Sequence, residues 1–125
     1  MVEMKSETRR ITTKDVFEHH LGAFAEGIDA LVSDFTESSV VILPDRTIRG
    51  LGEIRVFFAN FLAELQPGFW EAFKVRAQTL QGEIAYLVWE AKPFVAMATD
   101  TFLIRDGKIL AQTFTPFNES SGGKA

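Results

Sequence analysis

The chain has 125 residues, a formal net charge of −4 and no cysteine. The length points to one domain, and a globule of this size buries roughly two thirds of its unfolded surface, enough for a core without covalent staples. Disulfides, thiolate nucleophiles and cysteine-ligated metals are excluded, and the mild acidity argues against a nucleic-acid footprint, because the basic pair Arg9-Arg10 lies in an N-terminal arm rather than on a face.

No apolar run approaches the ~20 residues that a membrane helix needs, and "MVEMKSETRR" does not lead into a signal-peptide core. A soluble cytoplasmic protein without a membrane partner is expected. Twelve phenylalanines against one tyrosine suggest a core, or a pocket, walled with aromatic rings.

In chain order, residues 1–11 read as a flexible arm. A helix over 12–26 starts at Thr12 or Thr13, where Asp15 completes a capping box, and its apolar stripe is Phe17, Leu21 and Phe24. Gly27 ends it. "IDALVSDF" gives a second helix over 28–35, "SVVIL" a strand, Pro44-Asp45-Arg46 a turn and "TIR" a short return strand. The third helix, 51–65, puts Ile54, Phe57, Phe58, Phe61, Leu62 and Leu65 on one face until Pro67-Gly68 stops it.

From residue 69 the apolar period changes to 2, and 69–80, 83–91, 95–105 and 108–116 read as antiparallel strands. Their turns fall at Gln81-Gly82, Lys92-Pro93 and Asp106-Gly107. Residues 118–125 form a flexible tail. Helices followed by a meander make an α+β domain over 12–117, with helices packed on one face of a curved antiparallel sheet.

If the tight turns set the register, the inner face carries Phe73, Val75 and Ala77, then Tyr86, Val88 and Glu90. Beside them come Ala96, Ala98, Asp100, Phe102 and Ile104, then Ile109, Ala111 and Thr113. Asp100 then faces Tyr86 and Thr113. Leu87, Trp89, Leu103 and Leu110, flanked by Lys74 and Arg76, would form an apolar outer cluster, the expected seat of a homodimer.

Asp100 shares a strand face with Phe102 and Ile104, so an ionisable group looks into an apolar space. It is either a structural carboxylate held by a hydroxyl or an amide, or a proton donor or acceptor with a raised pKa. His20 falls between Phe17 and Phe24 at the edge of the buried stripe, while His19 points away. Adjacent helix positions do not share a face, so the pair is no metal clamp and no metal site is expected. Tyr86, Glu90, Phe17, Phe58 and Phe102 complete the expected pocket wall.

Three stretches, "HHLGAFAEGIDALVSDFTESSVVILPD", "IRGLGEIRVFFANF" and "DTFLIRDGKILAQTF", resemble the nuclear-transport-factor-2-like superfamily. Within it, the SnoaL-like polyketide cyclase and ketosteroid isomerase branch is the most similar. The resemblance covers residues 12–117 and implies a cystatin-like cone: three N-terminal helices packed on a strongly curved antiparallel sheet, a pocket between them, and usually a homodimer. It implies that Asp100 falls where the isomerase keeps a protonated aspartic acid that donates to an oxyanion, and that His20 falls where it has a tyrosine. The isomerase's general-base aspartate is matched by Leu43 before Pro44, and a leucine cannot move a proton. "GIDAL" is one residue shorter than the usual form of this turn.

Two functions follow as expectations. One is cofactor-free acid/base chemistry (isomerase, cyclase or hydrolase) on a small apolar compound, with His20 as base or donor and Asp100 as donor or orienting group. The other is a non-catalytic ligand-binding or dimerisation module.

Overall fold

Thr12 begins the first helix as its sequence predicts. A computed structural model describes residues 11–118, so apart from Ile11 and Asn118 the expected arm and tail lie outside the described residues. The Thr12 hydroxyl accepts from the Asp15 amide at 3.1 Å, and the Asp15 carboxylate accepts from the Thr12 amide at 3.0 Å, a complete capping box. Helix α1 (Thr13–Ala23) buries Val16, Phe17, His20 and Ala23. Gly27, at φ 112°, turns the chain into α2 (Ile28–Val32).

This second helix is shorter than expected. The Ser33 hydroxyl donates to the Ala30 carbonyl at 2.7 Å, a local bond that competes with continuing the helix. Phe35 then opens β1 (Phe35–Ile42), and β2 (Thr47–Arg49) pairs with it antiparallel. In α3 (Gly50–Ala63) the Glu53 carboxylate accepts from the Arg49 amide at 2.8 Å at the N-terminal end, and Ile54 and Phe58 are buried.

Residues 69–72, expected as the start of a strand, form a helical turn instead, α4 (Phe69–Ala72). Gly68 takes φ 88° and its carbonyl accepts from the Ala72 amide at 3.1 Å. The turn seats Phe69 against Phe61, Trp89 and Phe94, with ring centroids 6.2, 6.0 and 6.1 Å away. Tertiary packing of one aromatic side chain outweighs the local period of 2.

The meander follows as β3 (Phe73–Gln81), β4 (Ile84–Ala91), β5 (Val95–Arg105) and β6 (Lys108–Phe117). The six strands lie in the order β2-β1-β6-β5-β4-β3 in one curved, unclosed sheet. The meander is antiparallel throughout, whereas β1 joins β6 in parallel, a pairing the local pattern does not reveal. Ring contacts from α1 and α3 to Phe102 and Phe35 seat the helices on one face of this sheet.

The register differs from expectation at three points, and two of them move a face. The first hairpin turns at Gly82-Glu83, with Gln81 paired to Ile84, one residue later than expected, which leaves the same faces together. Between β4 and β5 the pairing shifts by one residue at Trp89–Ala91, so Tyr86 meets Thr101 and Leu87 meets Asp100. The second hairpin forms at Asp106-Gly107 as expected, with φ 53° and 78° and Arg105 opposite Lys108. A bulge then displaces Leu110, so Leu103 pairs with Ala111. Asp100 therefore lies beside Leu87 and Phe114, not Tyr86 and Thr113. Leu87, Trp89 and Gln112 are buried on the inner face, and the outer cluster expected from Leu87 and Trp89 does not form.

Candidate functional site: a phenylalanine-walled cavity with one polar end

α1, α3, α4 and the inner sheet face enclose a cavity with about 620 Å³ of atom-free space, its open mouth included. Its wall is Leu21, Phe24, Phe57, Phe58, Phe61, Phe69, Trp70, Phe73, Leu87, Trp89, Phe102 and Phe114, with His20, Asp100 and Gln112 as its polar members. Most of these side chains can offer a ligand only apolar or ring surface. Specific recognition falls to the three polar residues.

His20 is delivered by the buried stripe of α1 and is 1% exposed. Its imidazole lies edge-on to Phe24, Phe35, Phe58 and Phe102, at centroid distances of 5.4, 5.6, 5.8 and 5.4 Å. Behind it the Asp34 carboxylate bridges two histidines, 3.3 Å from His20 Nδ1 and 2.7 Å from His19 Nδ1. His19 is half exposed, yet it shares this carboxylate, which the helical wheel alone does not show. A carboxylate accepts, so Nδ1 of His20 donates to Asp34, and Nε2 on the far side of the ring is turned away from it.

Asp100 is 5% exposed. Its Oδ1 accepts from Trp89 Nε1 and its Oδ2 from Gln112 Nε2, both at 2.9 Å. Burial pushes its carboxyl up to about 6, against the opposing pull of Trp89, Gln112 and His20. With Asp100 ionised, Gln112 must turn its amide nitrogen to the carboxylate, which leaves Oε1 over. Among the described residues, two buried side-chain polar atoms have no hydrogen-bond partner, His20 Nε2 and Gln112 Oε1. Both belong to cavity residues.

The sequence-expected residues divide. His20, Asp100, Phe58 and Phe102 line the cavity together. Phe17 stands behind the wall, its ring 5.7 Å from that of Phe102. Tyr86 and Glu90 are corrections: the register shift between β4 and β5 at Trp89–Ala91 puts both on the opposite sheet face, where Tyr86 is 38% exposed and Glu90 pairs with Arg76. Leu43 packs against the core and is not part of the cavity wall. Sequence reasoning missed Asp34, Trp89 and Gln112. The signal for Trp89 was its indole N–H, which needs a partner once buried and has one obvious acceptor on the neighbouring strand.

Among the described residues, no group of three or more His, Cys, Asp or Glu side chains is placed to hold a metal ion, and no helix is long and apolar enough to cross a membrane.

No protein-family model matches the sequence, and no curated protein does. Solved structures do match the fold. A candidate polyketide cyclase from Sinorhizobium meliloti superposes with a TM-score of 0.66 at 18% identity, over 80% of this chain and 93% of its own. An NTF-2-like protein of unknown function from Burkholderia xenovorans matches with 0.66 at 17%, over 85% and 83%. A protein of ketosteroid-isomerase-like fold from Catenulispora acidiphila, in complex with trimethylamine, matches with 0.65 at 14%, over 88% and 90%. The chain thus has the fold shared by these NTF-2-like, polyketide-cyclase and ketosteroid-isomerase-like structures, as its sequence resemblance implied.

Proposed function

We propose that the protein binds a small, largely apolar compound in the phenylalanine-walled cavity and that His20 Nε2 accepts a proton from it without a cofactor. One observation carries this reading: the unpartnered His20 Nε2, fully buried, in a cavity that also holds a buried carboxylate. Proton transfer to Nε2 makes an imidazolium whose Nδ1–H already meets the Asp34 carboxyl group. Asp100, with its raised pKa, orients the compound or gives a proton back.

The alternative, a binding module without chemistry, draws on the two hydrogen bonds that already hold Asp100. The two readings part at His20→Phe, which keeps the ring contacts and leaves Asp34 its bond to His19. Calorimetric titration with benzyl alcohol is expected to weaken about tenfold in His20→Phe, while toluene binds as before. A turnover found by product analysis is expected to fall about 10²–10⁴-fold in the same variant. Unchanged benzyl alcohol binding, or equal binding after Leu21→Trp fills the cavity, contradicts the proposal.

We also propose a homodimer on the outer sheet face, rebuilt from the observed register. Cross-strand rows there run Ile84–Leu103–Ala111–Val40 and Tyr86–Thr101–Thr113–Ile42. Ile42, Ile84 and Tyr86 remain exposed, a contiguous apolar and threonine-rich face that no helix among the described residues covers. Sedimentation at micromolar concentration is expected to give a dimer that Leu103→Arg converts to a folded monomer. A parent protein that sediments as a monomer contradicts this.

A further inference from the structure

What the polar end of the cavity leaves open is acceptor capacity. With Nδ1 donating to Asp34, His20 Nε2 is left without a partner, and in the neutral imidazole it is a lone pair. Gln112 Oε1 is bare because the amide nitrogen serves Asp100. Asp100 takes one bond on each oxygen, and a carboxylate offers about four lone-pair sites, so each oxygen can accept once more. Ring faces present partial negative charge and attract organic cations at close range. Phe58, Phe61 and Trp70 supply them here.

From these acceptors we infer, building on the cavity reading above, that the compound bound is a small apolar amine in its ammonium form. Its N–H groups reach Asp100, His20 Nε2 and Gln112 Oε1, and its hydrocarbon part lies among the rings. A carbonyl or carboxylate compound would set lone pairs against these three acceptors and leave them desolvated and unpaired, a cost that an ammonium group avoids. Asp100 is then the counter-charge, and the Trp89 indole and Gln112 amide are positioning groups that aim it. An imidazole already held by a carboxylate on its far side is set to accept from the ammonium, and proton transfer along that bond would leave a neutral amine and an imidazolium.

The test uses four probes of nearly one shape: benzylamine, benzyl alcohol, benzaldehyde and toluene. Each is titrated calorimetrically into the full chain at about pH 8, where benzylamine is cationic and Asp100 ionised. Benzylamine is expected to bind tightest, about tenfold or more ahead of benzyl alcohol, with benzaldehyde weaker still. Asp100→Asn is expected to remove about tenfold from benzylamine and to leave toluene unchanged. If that variant does not fold by circular dichroism, His20→Phe takes its place and is expected to lose part of the same preference.

Benzaldehyde or benzyl alcohol binding as tightly as benzylamine would overturn the amine assignment and leave the cavity reading standing. Equal losses for all four probes in Asp100→Asn would overturn it as well, since Asp100 would then only shape the cavity. No binding of any probe at millimolar concentration would sink the cavity reading and the amine assignment together.

Discussion

Trp89→Ala is expected to lower stability by about 3–5 kcal/mol, a melting temperature about 10–20 °C below that of the parent protein. Trp89 is 5% exposed, stacks on Phe114 at 6.2 Å and meets Phe73 at 5.2 Å and Phe69 at 6.0 Å. Truncation opens a void among rings that α4 and the sheet cannot both close. It also strips Asp100 Oδ1 of the indole N–H that solvates it. Trp70 is the internal control: it lines the same cavity but is 44% exposed, so Trp70→Ala is expected to cost about 1 kcal/mol or less. Urea denaturation of both variants measures the contrast. A Trp89→Ala protein as stable as Trp70→Ala would contradict the observed register, because an outward Trp89 would behave in that way.

The second large effect is a pH dependence, and Asp100→Asn isolates it. The Asp100 carboxyl titrates near 3.8 in the unfolded chain and at about 6 when folded. A folded pKa above the unfolded value means that the native state binds the proton more tightly. The stability this confers is complete below pH ~4 and is lost as pH rises through about 6. The loss is on the order of 3 kcal/mol, taking about 1.36 kcal/mol for each pKa unit.

Asp100→Asn removes that loss. Its side-chain oxygen can still accept from Trp89, and Gln112 can turn its amide so that Oε1 meets the new NH₂. The variant is therefore expected to gain on the parent between pH 4 and 7 and to equal or exceed it above pH 7. A parent protein that gains stability relative to Asp100→Asn over this range would mark Asp100 as an ionised structural carboxylate.

Asp100 was legible in the sequence because its evidence is local. Strand alternation fixes which way a residue points relative to Phe102 and Ile104, whatever the neighbouring strands do. The α1 stripe that buries His20, the capping box at Thr12 and the Asp106-Gly107 hairpin are local in the same sense. The company Asp100 keeps is not local. It depends on the registers of β5 with its two neighbours, and each slipped by one residue, once between Trp89 and Ala91 and once through the bulge at Leu110. A one-residue slip inverts a strand's faces, so Tyr86 and Glu90 changed places with Leu87 and Trp89, and Thr113 with Gln112. Asp34 stayed hidden for a related reason: its partners lie on α1, and nothing near "VSDF" marks the short α2 that turns its side chain toward them. The family resemblance carried the fold and pointed to Asp100 and His20, but not to Asp34 or Gln112, the groups that hold them.

The most direct test of the acceptor-lined cavity is the protonation of His20 itself, read by long-range ¹⁵N–¹H NMR of histidine-labelled protein at about pH 8. The expected result is the Nδ1–H tautomer with an unprotonated Nε2, whose nitrogen signal moves when benzylamine is added and stays in place when toluene is added. An Nε2–H tautomer, or an Nε2 signal indifferent to benzylamine at saturating concentration, would contradict it.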